Sequence, residues 1–169
     1  MGLNAELVGK EYPPVRYQVG REKLREFAAA VGETDPLYSD LETARAKGFG
    51  DLPAVPTFPV VLSYQVGQVV YDDPELGVDY SRVVHGEQSF EYTRPVVAGD
   101  QLVATGRIAA MRARGRHQTL TVETIIETEA GEPVCRTSST IVIRGADPAP
   151  SQGDAVAAAE PSGAQPVGS

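Results

Sequence analysis

The sequence offers little from which to build a covalent staple or a metal centre. Cys135 is its only cysteine, so neither an intrachain disulfide nor a multi-cysteine metal site can form. Cys135 lies in an apolar, threonine-rich run and reads as a small buried hydrophobe. The two histidines, His85 and His117, stand far apart with no HxxxH-like spacing, which argues against a metal. His85 precedes a strand and fits a surface or dimer-edge position, with a catalytic role as the alternative; His117 lies beside a hairpin turn, where exposure is expected. The glycines make no GxGxxG, so a dinucleotide site is not expected. Basic residues form no stripe or arm along the chain, and the formal net charge is −8, which argues against a nucleic-acid partner. No apolar run approaches the roughly 18 residues of a membrane-spanning helix. The start, MGLNAELVGKEYPP, has no apolar signal core, and Glu6 stands where a myristoylation signal has Ser or Thr. A cytoplasmic location with no membrane partner is the resulting expectation.

What is present is the composition of an ordinary soluble domain: 169 residues, 41% hydrophobic and 22% charged, enough for one domain with a core. Residues 146–169 change character. They contain no aromatic residue, are rich in Ala, Pro, Gly and Ser, and read as a disordered tail behind a folded body of residues 1–145. In the first half, Leu24, Phe27, Ala28 and Val31 follow helical spacing, and Gly32 is a natural stop. Ser39 with Glu42 has the pattern of a capping box for a second short helix ending near Gly48. Thr57 is a candidate cap for a third helix with Pro59 in its first turn. That segment, from Pro59 to about Val70, is apolar nearly all round. Its valines also suit a strand, but its length and poor alternation predict a buried helix.

The second half alternates like sheet. Phe90 and Tyr92 share one face, with Ser89, Glu91 and Thr93 on the other. Ala98-Gly99-Asp100 marks a turn into a long run over 101–112, and Arg114-Gly115-Arg116 makes a tight connection. Over 117–129, Leu120, Val122, Thr124 and Ile126 face one way; Gly131 then turns the chain into a last strand over about 133–144. Helices followed by an antiparallel meander indicate an α+β fold and not βαβ winding.

Three stretches together resemble the MaoC-like, or (R)-specific hydratase/dehydratase, branch of hot-dog proteins: FAAAVGETDPLYSDLETARAKGFG from Phe27, LPAVPTFPVVL from Leu52 and HGEQSFEYTRPVVAGDQL from His85. Their order and the RPVVAGD signature are similar to the N-terminal-type, HadA-like (UPF0336-type) actinobacterial dehydratase subunits. The resemblance implies a single hot-dog domain, an antiparallel sheet wrapped around a buried central helix, that handles acyl thioesters carried on CoA or acyl carrier protein. It implies no metal or redox cofactor.

In active members of that branch the loop after the first long helix reads roughly GDxNPxH. Its Asp and His move the protons of a 3-hydroxyacyl thioester, because one group must take the α-proton while another protonates the leaving hydroxyl. Here the loop reads Gly32-Glu33-Thr34-Asp35-Pro36-Leu37-Tyr38. The Asp position carries Glu33, the Asn position Asp35 and the His position Tyr38, whose free pKa of about 10 makes it a poor base at pH 7. Active relatives also have an Ala-His-Gly-Met-like stretch whose backbone N–H holds the thioester oxygen. On the simplest alignment Pro56 takes the Gly position and has no N–H to give; the N–H of Thr57 is the nearest substitute.

The resemblance thus implies a dehydratase subunit, and the residues imply that the chemistry lies elsewhere. The leading expectation is an acyl-thioester-binding, non-catalytic subunit of a (3R)-hydroxyacyl-ACP/CoA dehydratase or enoyl hydratase in fatty-acyl metabolism. It would pair with an Asp/His-bearing MaoC-like chain and lay the acyl group along the buried helix against Phe58, Val61, Leu62 and Tyr64. Two alternatives stay open: a homodimeric hydratase or thioesterase using Glu33, Asp35 and Tyr38 in an unusual arrangement, and an acyl-CoA-binding regulatory module. Glu33 and Asp35 also fit plain solvated loop residues, and Tyr38 a packing residue with a wet hydroxyl.

Overall fold

The computed structural model describes residues 2–145. The expected tail, 146–169, lies outside the described residues. Five strands form one antiparallel sheet: β1 (Val15–Gln18), β2 (Val83–Tyr92), β3 (Gln101–Arg114), β4 (His117–Thr128) and β5 (Pro133–Ile143), in the order β1-β3-β4-β5-β2. Three α-helices accompany it: α1 (Arg21–Ala30), α2 (Leu41–Ala46) and α3 (Val60–Tyr71). This is the single hot-dog domain that the sequence suggested, with α3 lying against the inner face of the sheet.

The meander follows the alternation of the sequence. On β4, Leu120, Val122, Thr124 and Ile126 are all buried. They meet Ile141, Thr137 and Cys135 on β5 and Met111, Ile108 and Ala104 on β3. Against this face α3 buries Leu62, Ser63, Val66, Gly67 and Val70. The helix lies close against the sheet at Gly106 of β3, which faces Val66. Cys135 is buried, as expected, and burial pushes its thiol up to about 11, where it is inert at neutral pH.

Several local readings change. The cap of α2 is Asp40, whose carboxylate accepts from Thr43 N–H at 2.7 Å; Ser39 instead ends the preceding single turn, Pro36–Tyr38. Asp40-x-x-Thr43 and Ser39-x-x-Glu42 are offset by one residue, and the charged carboxylate is the stronger acceptor for an N-terminal amide. Pro59, not Thr57, is the cap residue of α3, and it makes no side-chain cap bond. Val31 is 51% exposed at the end of α1, where the helix has already stopped. β1 had no counterpart in the sequence reading. Its four residues hold their shape by pairing with Gln101–Ala104 of β3.

Candidate functional site

The loop after α1 is shaped by its own side chains. Gly32 adopts φ +74, a left-handed conformation that glycine takes without strain, and Glu33 N–H reaches back to the Ala28 carbonyl at 2.8 Å. The Glu33 carboxylate then accepts from the backbone N–H groups of Thr34 and Asp35, both at 2.8 Å. Asp35 caps the following turn by accepting from Leu37 N–H at 2.8 Å, and Lys47 stands 4.0 Å from its other oxygen. Both acids are thus committed to loop backbone. Tyr38 comes off the end of that turn. Burial holds its phenol above the ordinary value, with the negative charges of Glu33 and Asp35 adding to the effect, so it is neutral at pH 7 and cannot act as a base.

The stretch before α3 is tied to the segment between β2 and β3. Ala54 N–H donates to the Val96 carbonyl at 2.8 Å, and Ala98 N–H donates to the Leu52 carbonyl at 2.9 Å. The Tyr92 hydroxyl donates to the Pro56 carbonyl at 2.7 Å. The RPVVAGD signature supplies the framework. Arg94 makes a two-bond fork with Asp100, at 2.9 and 3.0 Å, and Asp100 also accepts from Val97 N–H at 2.9 Å. These bonds fix the turn that presents Pro95 and Val96.

Together these segments enclose a mostly apolar cavity of about 260 Å³. Leu37 and Tyr38 close it on the loop side, Ala54 and Pro56 on the side of α3, and Tyr92 and Val96 on the sheet side. The structure therefore brings Tyr38 and Pro56 to one cavity, while Glu33 and Asp35 remain on the loop behind it. Thr57 is exposed, and its N–H makes no hydrogen bond among the described residues. Phe58 and Leu62 line no open space. Both are fully buried, with Phe58 held edge-to-face between Tyr17 and Phe27. Val61 is partly buried against the same core.

A second space, an apolar slot of about 140 Å³, follows another face of α3. Val60, Ser63, Tyr64, Gly67 and Tyr71 recur there every three or four residues along one side of the helix. Val83, His85, Gln88, Ser139 and Ile141 form the opposite wall on β2 and β5. Its floor is polar but satisfied: Ser63 Oγ and Thr137 Oγ1 are 2.5 Å apart and both residues are buried. Tyr71 is pushed up to about 12 by burial and stays neutral. Sequence reasoning did not single out Ser63, Gly67, Tyr71 or Tyr92 as site residues, nor Arg94 and Asp100 as its frame. The available signal was the small pair Ser63 and Gly67, one turn apart in an otherwise apolar helix.

The family model for the FAS1-like, dehydratase domain region matches residues 6–137. The chain belongs to that FAS1-like dehydratase family. Within it, the chain is 47% identical over 156 residues to a UPF0336 protein of Saccharopolyspora erythraea, covering 92% of this chain and 100% of that one. It is 49% identical over 144 residues to a UPF0336 protein of Leifsonia xyli subsp. xyli, covering 85% and 97%. Among solved structures it is similar to the C-terminally truncated HadBC (3R-hydroxyacyl-ACP dehydratase) complex of Mycobacterium tuberculosis. There the TM-score is 0.73 and the identity 29%, over 80% of this chain and 96% of that one. It is also similar to a MaoC-like dehydratase, with a TM-score of 0.75 and 30% identity, over 83% of this chain and 43% of that longer one. No helix among the described residues is long and apolar enough to cross a membrane, which says nothing of β-barrels.

Proposed function

We propose that this FAS1-like chain is the acyl-holding, non-catalytic subunit of a (3R)-hydroxyacyl-thioester dehydratase, paired with a hot-dog chain that carries Asp and His. The observation that carries the reading is the state of the loop. Glu33 spends its carboxylate on two loop amides, Tyr38 is a neutral phenol on an apolar wall, and Pro56 has no N–H where an oxyanion donor is needed. Proton abstraction α to a thioester and protonation of the leaving hydroxyl are the work of an Asp and a His in the branch this loop resembles, and this site carries neither at those positions. What it has is apolar space. The slot along Val60, Ser63, Tyr64, Gly67 and Tyr71 fits an acyl chain and excludes water from it. The partner's Asp and His would take the α-proton and return a proton to the hydroxyl, which departs as water.

Pairing is supported by the sheet. β2 is an end strand, bonded only to β5, and Val84 on it is exposed. A long uncovered strand edge invites another chain. That the HadBC structure is a complex of two named parts adds to this support.

The test is co-expression with an Asp/His-bearing MaoC-like chain, followed by hydration assays on crotonyl- and longer enoyl-thioesters. The chain alone is expected to show no hydration above background, and the mixture to be active. In the mixture, Glu33→Gln and Tyr38→Phe are expected to change the rate less than about twofold, whereas loss of a working acid–base residue costs about 10²–10⁴-fold. Ordinary turnover by the chain alone, abolished by Glu33→Gln or Tyr38→Phe, would replace this reading with a homodimeric hydratase.

A further inference from the structure

Most cations of this acidic chain have an acidic partner. Among the described residues, Lys10, Arg16, Arg21, Lys23, Arg25, Lys47, Arg82, Arg94, Arg107 and Arg136 each lie within 4.0 Å of a carboxylate. Arg45, Arg112, Arg114, Arg116 and Arg144 form no such pair among the described residues, and the last four stand at one end of the sheet. Arg112 and Arg114 are on the last residues of β3, Arg116 is in the turn to β4, and Arg144 follows β5. Arg116 and Arg144 meet Arg82 around one open depression with Ser81 and Gly145. Arg82, the member with a partner, shares its guanidinium between Asp79 and the Gly145 carbonyl.

Among the described residues Asp79 is the one acid paired at this depression, so Arg116 and Arg144 stand beside Arg82 with no carboxylate of their own to offset the repulsion. A chain of net charge −8 has carboxylates enough to pair them. Planar, always-charged donors held round one depression fit an oxyanion such as phosphate, which each can bind through two parallel N–H bonds. The three segments are distant in sequence, so no basic run announces the cluster.

Its place in the fold says what the anion belongs to. Arg82 immediately precedes β2, and Tyr92, bonded to the cavity beside Pro56, ends it. If two β2 edges join antiparallel, the Arg82 end of one chain lies beside the Tyr92 end of the other. The cluster then stands at the entrance to the partner's site. We infer that Arg82, Arg116 and Arg144 hold the phosphate of the phosphopantetheine arm that carries the acyl thioester, an inference that rests on the paired-subunit reading above. CoA and acyl carrier protein both present this phosphate.

The experiment uses the full chain in complex with its Asp/His-bearing partner and measures binding of four probes by calorimetry: octanoyl-pantetheine, octanoyl-4′-phosphopantetheine, octanoyl-CoA and octanoyl acyl carrier protein. The phosphorylated probes are expected to bind at least about tenfold more tightly than octanoyl-pantetheine, the gain that charge-assisted bonds typically give. That gain should shrink as salt rises and be lost in Arg116→Glu/Arg144→Glu. Arg116→Gln/Arg144→Gln, which adds no negative charge, should lose most of it. Arg45→Glu, at the other unpaired arginine, should keep it. Equal gains for phosphopantetheine and CoA assign the shared phosphate; a gain confined to CoA or to the carrier protein would place the contact elsewhere on those carriers and overturn it. Failure of octanoyl-pantetheine to bind would overturn the acyl-holding reading itself. Binding of all four probes with equal affinity, or a gain that survives both double variants, would overturn the phosphate site alone.

Discussion

A Cβ placed on Gly106 of β3 would stand 2.2 Å from Cγ1 of Val66 on α3, so helix and sheet meet there with no room for a side chain. The rest of the α3 face follows from that contact, with Val66, Leu62 and Val70 all at or near zero exposure. Gly106→Ala is therefore expected to lower stability by about 1–3 kcal/mol, the usual cost of overpacking a filled core. Urea unfolding followed by circular dichroism measures it. A change inside about 0.5 kcal/mol, the range of neutral surface substitutions, would mean that α3 and the sheet do not meet at Gly106 without room for a methyl group.

The second contact between helix and sheet is polar. Ser63 and Thr137 satisfy each other across the interface, with no other hydroxyl bond available to either among the described residues. Removing one hydroxyl leaves the other buried and unpaired, at a cost of about 1–3 kcal/mol, whereas removing both can be nearly neutral. Thr137→Val and Ser63→Ala are each expected to destabilise, and the double variant to recover most of the loss. Additive losses in the double-mutant cycle would show that the two hydroxyls do not act as a pair.

How much of this was legible depended on whether a residue's environment is written in its neighbours. β4 alternates without a break from Gln118 to Ile126 because one face is buried throughout, so its strand and its face could both be read. α3 could be read as buried because apolar residues surround it. The same uniformity hid its faces: Phe58 and Leu62 look like any other large residues of the segment, and only packing against Tyr17 and Phe27 makes them core. β1 was missed because Val15–Gln18 is too short for periodicity to speak. The first half of β2 was missed because Val84, His85, Gly86 and Glu87 are all exposed on an end strand and carry no inward pattern. Glu33 was legible as an altered position but not as a loop cap, since its two bonds go to its own neighbours' backbone.

The fold holds the carboxyls of Asp40, Asp51, Asp73 and Asp79 below their ordinary value, Asp51 furthest. Arg21, the first residue of α1, grips both oxygens of Asp51 at 2.8 and 2.6 Å, and this ion pair holds the Asp51 carboxyl down at about 2. An unfolded aspartate titrates near 3.9, so the bound form takes up protons less readily than the unfolded chain. The pair's stabilisation is thus full above about pH 5 and is lost as the pH falls toward 2. Because both side chains reach solvent, water screens the pair and its contribution is expected to be small. Asp51→Asn should melt below the wild-type chain at pH 7, and the two should converge only as the pH falls below about 2. A difference that persists unchanged at low pH would assign the effect to the Leu52 amide that Asp51 also accepts from, and not to the charge pair.

The slot along α3 gives the last test, because it separates residues that face an acyl chain from residues that merely sit near one. A Cβ on Gly67 would lie 3.1 Å from Cε2 of Tyr71 and 3.4 Å from its hydroxyl oxygen, so Gly67→Ala crowds the ring that closes the slot. Alanine is the better helix former by about 1 kcal/mol, so the helix itself gains rather than loses. In the complex with the catalytic partner, the kcat/KM ratio of long to short enoyl-thioesters should fall by about tenfold, the lower range for a methylene misfit in an apolar pocket. Leu62→Ala is the contrast. It opens a hole in a filled core and should cost about 2–5 kcal/mol in stability, while leaving that ratio within about twofold because Leu62 faces away from the slot. If Leu62→Ala shifts the chain-length preference and Gly67→Ala does not, the acyl group runs on the core side of α3, and the slot beside β2 serves some other end.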